Sequence, residues 1–271
     1  QAAVELGIGY DEDLAVLESN GLLEVADNDL SSRALERGLR ALGTLGSGNH
    51  FMELQSVEQV VDQETAKQWG LYEGQLLAMI HSGSRGLGHQ VCSEHSRKLE
   101  QKYRKTAEGW HSEEYGFTLS DRQLACAPMH SKAGQDYLNQ MNAAANFAFA
   151  NRSALAHRLR EVLKLEMGID GEARTLYDVA HNIAKIETHN LHGKNCQCAV
   201  HRKGATRAFA GDSGHIEASF QQTGQPVLVP GDMGTGSWIM AGPQTGQNQA
   251  FGSSCHGAGR ALSRTKAKKT I

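Results

Sequence analysis

The chain has 271 residues, 39% hydrophobic and 21% charged, with a formal net charge of −3 at pH 7. That apolar share excludes a disordered segment, and no apolar run approaches the roughly 20 residues of a membrane-spanning helix. The length suits one large domain or two small ones, and the mild acidity excludes nucleic-acid binding through bulk charge, so phosphate recognition must come from local basic clusters.

Residues 11–40 are acidic at first and rich in leucine, and apolar pairs at helical spacing (Leu14 with Leu17, Leu35 with Leu39) predict short surface helices. The glycine cluster in ALGTLGSGNH then precedes an alternating FMELQ, which predicts a strand from Phe51. Residues 56–70 read as a strand end followed by a short polar helix. Residues 75–81 (QLLAMIH) read as a buried strand that runs directly into SGSRGLG. A charged helix is expected over 89–107. The longest helical signal lies in 120–166, where small and apolar residues recur at i, i+3 and i+4 until Gly168 stops it. From Tyr177 the pattern changes to short strands broken by glycine. No repeat or linker interrupts it, so one mixed α+β domain over 1–271 is predicted.

The chemistry concentrates in histidines, glycine loops and arginines. Of 13 histidines, His50 follows Gly48-Asn49, His81 ends the strand before Ser82-Gly83-Ser84-Arg85, His181 precedes Asn182, and His256 lies in SSCHGAGR. A neutral imidazole is the commonest metal ligand and can also serve as base or nucleophile. A lone histidine is more often a satisfied core residue. Several at strand–loop and glycine junctions favour the functional reading.

A second cluster, His189, His192, Cys196, Cys198 and His201, is dense enough to suggest structural zinc. Its spacing is wrong for a C-x-x-C knuckle. If CQCAVH is a strand, Cys196, Cys198 and Val200 share one face and His201 points to the other. A hairpin turning at HGKN, with small buried thiols, is the simpler expectation.

Glycine makes up 30 residues, about one in nine against a usual ~7%. GTLGSGN, GSRGLG, PGDMGTGS and HGAGR could each cradle phosphate oxygens through consecutive backbone N–H groups. None is a Walker loop or a well-placed G-x-G-x-x-G. Arg85, the Arg202-Lys203…Arg207 group, Arg260 and Arg264 adjoin such loops, and the planar guanidinium fork matches phosphate. Lys266, Lys268 and Lys269 read instead as a solvated face. Together these features suggest a metal-assisted site that handles phosphates.

The 5 cysteines are an odd number, which argues against a secreted disulfide framework. The first residues, QAAVELGIGY, contain no signal-peptide pattern, and both ends read as cuts in a longer chain.

In order, LGTLGSGNHFMEL, HSGSRGLGH, DVAHNIAK, HRKGATRAF, PGDMGTGSW and SSCHGAGRALSRTKAKK resemble the motifs of the RtcB family of 3′-phosphate RNA ligases, from about residue 40 to the end. The resemblance implies a single RtcB-like α+β domain, incomplete at both ends, with short strands around a central cleft and flanking helices. It implies a cytoplasmic, GTP-consuming enzyme with two Mn²⁺ ions, no membrane contact, and an activating protein partner left open. Such an enzyme joins RNA 3′-phosphate or 2′,3′-cyclic phosphate ends to 5′-hydroxyl ends in tRNA splicing or RNA repair. By the same resemblance, His256 is the nucleophile that takes GMP from GTP. His50, His81 and His181 are the manganese ligands. GTP is held by Asn49, His50, Phe51, Met52, Glu53, His181, Asn182, Pro230, Gly231, Asp232, Met233, Ser237, His256, Gly257, Ala258 and Gly259. Arg85 and Arg264 face RNA phosphates.

Three departures qualify the match. The family's D-x-x-C-G metal motif is absent from this sequence, and its terminal lysine would lie beyond Ile271. Asp232 stands where members carry serine, and a carboxylate repels phosphate, so backbone N–H contact is the expected mode there. A chain of these 271 residues alone is expected to ligate weakly or not at all. Two other classes stay open: a metal-dependent phosphoester hydrolase on the same histidines, needing no GTP, and a non-catalytic RNA-end-binding module.

Overall fold

A computed structural model describes residues 2–26, 30–169, 173–232, 234–246, 250–257 and 269–270. Met233, Ala258, Gly259, Arg260, Arg264, Lys266 and Lys268 lie outside the described residues. The helices are α1 (Ala2–Glu5), α2 (Asp11–Leu14), α3 (Ser32–Leu39), α4 (Gln63–Gln68), α5 (Arg85–Glu100) and α6 (Lys132–Met167). The strands are β1 (Phe51–Ser56), β2 (Leu76–His81), β3 (Arg104–Lys105), β4 (Trp110–Ser112), β5 (Phe117–Leu119), β6 (Asn182–Leu191), β7 (Lys194–Lys203), β8 (Ala205–Arg207), β9 (Pro226–Val229), β10 (Trp238–Ala241) and β11 (Ser253–Cys255). The α+β class expected from sequence is the observed one. Among the described residues the strands form five small sheets, and no helix is long and apolar enough to cross a membrane.

The chain divides into two compact units, residues 1–61 with 71–176 and residues 62–70 with 177–271. In the first, Ala34 of α3, Leu87 and Val91 of α5, and Ala144 of α6 form a buried cluster flanked by Leu30 and Phe147. Small residues permit that approach: a Cβ on Gly38 would meet Leu87 Cδ1 at 2.8 Å, and one on Gly86 would meet Arg37 Cβ at 3.1 Å. The helix α5 begins at Arg85 rather than 89. Gly86 and Gly88 of SGSRGLG lie in its first turn, Gly86 at its contact with α3 and Gly88 facing Ala144 of α6. The helix stops at Glu100, and Arg104 and Lys105 are extended.

The long helix α6 starts later than its composition suggests, because Ser131 caps it by accepting from the Gly134 N–H at 3.1 Å. It ends where expected, at Gly168 in the left-handed region (φ 63°). The strands β1 and β2 pair antiparallel from Phe51↔His81 to Ser56↔Leu76. They form a two-stranded ribbon, so β2 is not the buried strand predicted. Among the described residues no third strand pairs with either, and Leu54 and Leu76 remain nearly half exposed.

In the second unit, β6 and β7 form a hairpin paired from Asn182↔Lys203 to Leu191↔Lys194, each strand ten residues rather than short. The turn at HGKN is as predicted, with His192 (φ 51°) and Gly193 (φ 79°) both left-handed, as a two-residue type I′ hairpin turn requires. Gly204 (φ 64°) then breaks the chain between β7 and β8, which pairs with β11. Gln225, fully buried, accepts from Phe209 N–H at 3.2 Å and donates to the Tyr177 hydroxyl at 2.7 Å and to Glu217 at 3.3 Å. Trp69, following α4, donates to Thr223 Oγ1 at 3.0 Å and packs edge-on against Phe220, tying residues 62–70 to this unit.

Candidate nucleotide and metal site

Two histidine pairs stand at strand ends, one in each unit. In the first, the β1–β2 register brings His50, just before β1, to 5.7 Å from His81 between ring centroids. Phe51 lies edge-on to His81 at 5.3 Å. The His50 Nδ1 is 2.9 Å from the Leu45 carbonyl oxygen. A carbonyl can only accept, so Nδ1 carries the proton and Nε2 is left with its lone pair. Burial lowers the pKa of His50, and the Arg85 charge adds to that, while the Leu45 bond works the other way. These shifts favour the neutral ring, the form a metal ligand needs.

Arg85 reaches the same loop, its Nε donating to Thr44 Oγ1 at 3.3 Å. Gly46 (φ 109°) lets both groups approach, because a Cβ there would overlap the Arg85 guanidinium and His50 Nδ1. The residues 49–53 do not present one surface. Phe51 and Glu53 lie on one face of β1 and Met52 on the other, and Glu53 is exposed, accepting from Gln55 at 3.0 Å.

In the second unit, His181 and His256 stack with centroids 4.6 Å apart and planes inclined by 28°. Gly204 organises both. Its N–H donates to the His181 carbonyl at 2.8 Å and to Asn182 Oδ1 at 3.1 Å, and its carbonyl accepts from the His256 N–H at 3.3 Å. Its own φ of 64° favours glycine. Gly257 adjoins the PGDM turn, since a Cβ on it would lie 3.3 Å from the Pro230 carbonyl.

That turn closes on itself. The Gly231 N–H donates to Ser237 Oγ at 3.0 Å, the Asp232 N–H to the Thr235 carbonyl at 3.1 Å, and the Gly234 N–H to Asp232 Oδ1 at 2.7 Å. The Asp232 carboxylate also accepts from Thr235 Oγ1 at 3.0 Å. These bonds lower its pKa, the Gly234 N–H contributing most. The backbone N–H groups expected to cradle phosphate at Gly231 and Asp232 therefore already have partners, and the carboxylate is turned into its own loop.

The arginines of HRKGATR are not the phosphate ligands their glycine surroundings suggested. Arg202 and Arg207 are buried against Glu187, whose side chain is 1% exposed. Arg202 donates to both carboxylate oxygens at 2.7 and 2.8 Å, Arg207 Nε to Oε1 at 2.7 Å, and His189 Nε2 lies 3.0 Å from Oε2. Burial pushes the Glu187 pKa up, but the Arg202 bonds and the Arg207 charge outweigh it and hold it at about 2. Arg202 further donates to Ser253 Oγ at 2.9 Å and the Phe251 carbonyl at 2.9 Å, fastening the start of β11, which leads into His256. Lys203 alone of this group is exposed.

The thiols of the second cysteine cluster are half-buried rather than buried, on the face of β7 opposite His201, and all five cysteines are free. Among the described residues no three His, Cys, Asp or Glu side chains converge to hold a metal ion. The His50–His81 pair still suits a cation chemically, with two imidazoles 5.7 Å apart between centroids and the His50 Nε2 left with its lone pair.

Sequence reasoning missed Glu187, Gln225 and Asn151. Asn151 left one trace, as the polar residue in an apolar stripe of α6 that includes Ala144, Ala148 and Leu155.

Fold and site together define an α+β protein whose histidines gather at strand ends beside tight glycine turns. A family model described as tRNA-splicing ligase RtcB matches residues 1–271, and the chain belongs to that family. Proteins named tRNA-splicing ligase RtcB are similar throughout. That of Archaeoglobus fulgidus is 47% identical over 273 residues, covering 99% of this chain and 55% of the relative. That of Thermococcus kodakarensis is 48% identical over 271 residues, covering 98% and 54%. That of Pyrococcus furiosus is 47% identical over 272 residues, covering 98% and 27%. The chain thus spans about half the length of the first two relatives.

Proposed function

We propose that the protein carrying this chain is a cytoplasmic RNA ligase that joins 3′-phosphate or 2′,3′-cyclic phosphate ends to 5′-hydroxyl ends, as in tRNA splicing. The observation that carries this reading is the Gly204-anchored pair of His181 and His256. A ring nitrogen of His256 attacks the α-phosphorus of GTP. An N–P bond forms, the bond to the bridging oxygen breaks, and pyrophosphate leaves. An oxygen of the RNA 3′-phosphate then takes the guanylate from His256. The 5′-hydroxyl oxygen attacks the activated 3′-phosphorus, GMP departs, and the hydroxyl proton is lost to solvent. Splitting one condensation into three phosphoryl transfers gives each step a good leaving group.

Manganese would be held by His50 and His81 in the first unit and by His181 in the second. When bound, two such ions neutralise triphosphate charge and polarise its oxygens. Asn49, Phe51, Met52, Glu53, Asn182, Pro230, Gly231, Asp232, Ser237 and Gly257 would surround the nucleotide. Arg85, beside His50, would meet an RNA phosphate.

The test is covalent labelling of the full-length protein by GTP radiolabelled at the α-phosphate, in the presence of Mn²⁺. His256→Ala is expected to abolish the label. Label retained in that variant overturns the role of His256, and RNA-end cleavage without GTP would instead favour a hydrolase.

A further inference from the structure

In the first unit the Asn151 side chain makes five hydrogen bonds, none of them to a histidine. It is fully buried in the middle of α6. Its Oδ1 accepts from the Gly43 N–H at 2.7 Å and the Thr44 N–H at 3.2 Å. Its Nδ2 shares two hydrogens among the Thr44 carbonyl at 3.2 Å, Ser82 Oγ at 3.2 Å and the Gly83 carbonyl at 3.1 Å. One amide thereby ties together the loop that precedes His50 and the loop that follows His81.

The connection extends to the imidazole. Ser82, 5% exposed, accepts from Asn151 and donates its own hydroxyl proton to the Leu45 carbonyl at 2.7 Å. That same carbonyl receives His50 Nδ1–H. The next residue of α6, Arg152, adds a bond from Nη1 to the Ser82 carbonyl at 3.3 Å. A buried apolar residue at 151 would keep the helix but remove all five of these bonds, with the Thr44 N–H retaining only the Ala41 carbonyl at 3.2 Å. Aspartate would keep the two accepted bonds and lose all three donated ones.

We propose that Asn151 is a positioning residue for the histidine pair: through Ser82 and the Leu45 carbonyl it fixes the His50 ring in the tautomer that leaves the Nε2 lone pair available. The metal consequence rests on the reading that His50 and His81 hold manganese; the tautomer does not. Partners in the outer shell of a metal site typically change affinity 10–100-fold on removal, about the effect expected here.

The experiment uses full-length protein with ¹⁵N-labelled histidine and two readouts. Long-range ¹H–¹⁵N correlation without metal reports which ring nitrogen of His50 is protonated, with His189 of the other unit as internal control. Titration with Mn²⁺, followed by the paramagnetic resonance of the free ion, reports affinity. Asn151→Asp is expected to turn the His50 spectrum into a tautomer mixture, leave His189 unchanged, and weaken Mn²⁺ binding about 10–100-fold. Should that variant not fold, Ser82→Ala, which removes the hydroxyl between Asn151 and the Leu45 carbonyl but leaves the other four Asn151 bonds, is expected to shift the His50 tautomer in the same direction by less. An unchanged His50 spectrum in whichever of these variants folds overturns the proposal. If His50→Ala leaves Mn²⁺ affinity unchanged, the metal reading fails, while the tautomer comparison still decides the role of Asn151.

Discussion

Glu187 and Arg202 lie on the same face of the β6–β7 hairpin and meet through two parallel hydrogen bonds of 2.7 and 2.8 Å, both side chains almost wholly buried. With Arg207 donating to the same carboxylate, one anion serves two cations. The arrangement joins the hairpin to β8 and β11, the elements that flank Gly204 and His256.

Glu187→Ala leaves two guanidinium groups buried without their counter-charge, so it should cost about 3–5 kcal/mol of stability. Urea unfolding followed by Trp69 fluorescence measures this, because Trp69 packs on Phe220 in the same unit. The pH dependence has a definite sign. The folded-state pKa is about 2 against an ordinary 4.5, so as pH falls the unfolded chain binds the proton first. The stabilisation is complete above about pH 4.5, worth about 3 kcal/mol, and is lost as pH falls towards 2. In Glu187→Ala that acid-side loss should largely disappear.

Gly46→Ala should displace Arg85 and His50 together, because the added methyl overlaps both and φ is 109°. Mn²⁺ affinity of the full-length protein is expected to fall about 10–100-fold. Gly48→Ala supplies the comparison. Its φ of 85° is equally strained for alanine, but a Cβ there meets nothing within 4 Å. Metal titration of both separates steric displacement of the ligands from general loop strain, with Gly48→Ala expected to bind near normally.

Asp232→Asn should preserve the turn, because the amide oxygen can still accept from Gly234 N–H and Thr235 Oγ1. It removes one exposed negative charge beside the proposed triphosphate. GTP binding is therefore expected to tighten by a few fold at low salt and to converge with the unaltered protein as salt rises. Asp232→Ala, which opens the turn, should weaken binding at every salt concentration. Equilibrium titration with a fluorescent GTP analogue distinguishes the two.

Local pattern was legible wherever neighbours along the chain decide the outcome. Alternation in FMELQ predicted β1, Gly168 predicted the end of α6, and HGKN predicted the hairpin turn. Positive φ at Gly168 and Gly193 is a property of those residues themselves. The pairing of β1 with β2 put His50 beside His81, and the end of the short β11 put His256 in contact with Gly204. The histidines that matter were therefore visible as residues at strand ends, while their spacing in space was not.

The sequence by itself determined the α+β class, the position of most elements, the family, and which histidines stand at junctions. The tertiary structure alone decided which charges face inward. Arg202 and Arg207 sit among glycines that suggested phosphate, yet they are partners of Glu187, 15 and 20 residues away. Asn151 sits in an apolar stripe, yet it bonds to loops 107 and 69 residues away. Burying a charge or an amide costs several kcal/mol unless a partner meets it, and that partner comes from another segment of the chain. Periodicity reports a residue's neighbours on its own element; the fate of a buried polar group depends on what packs across from it.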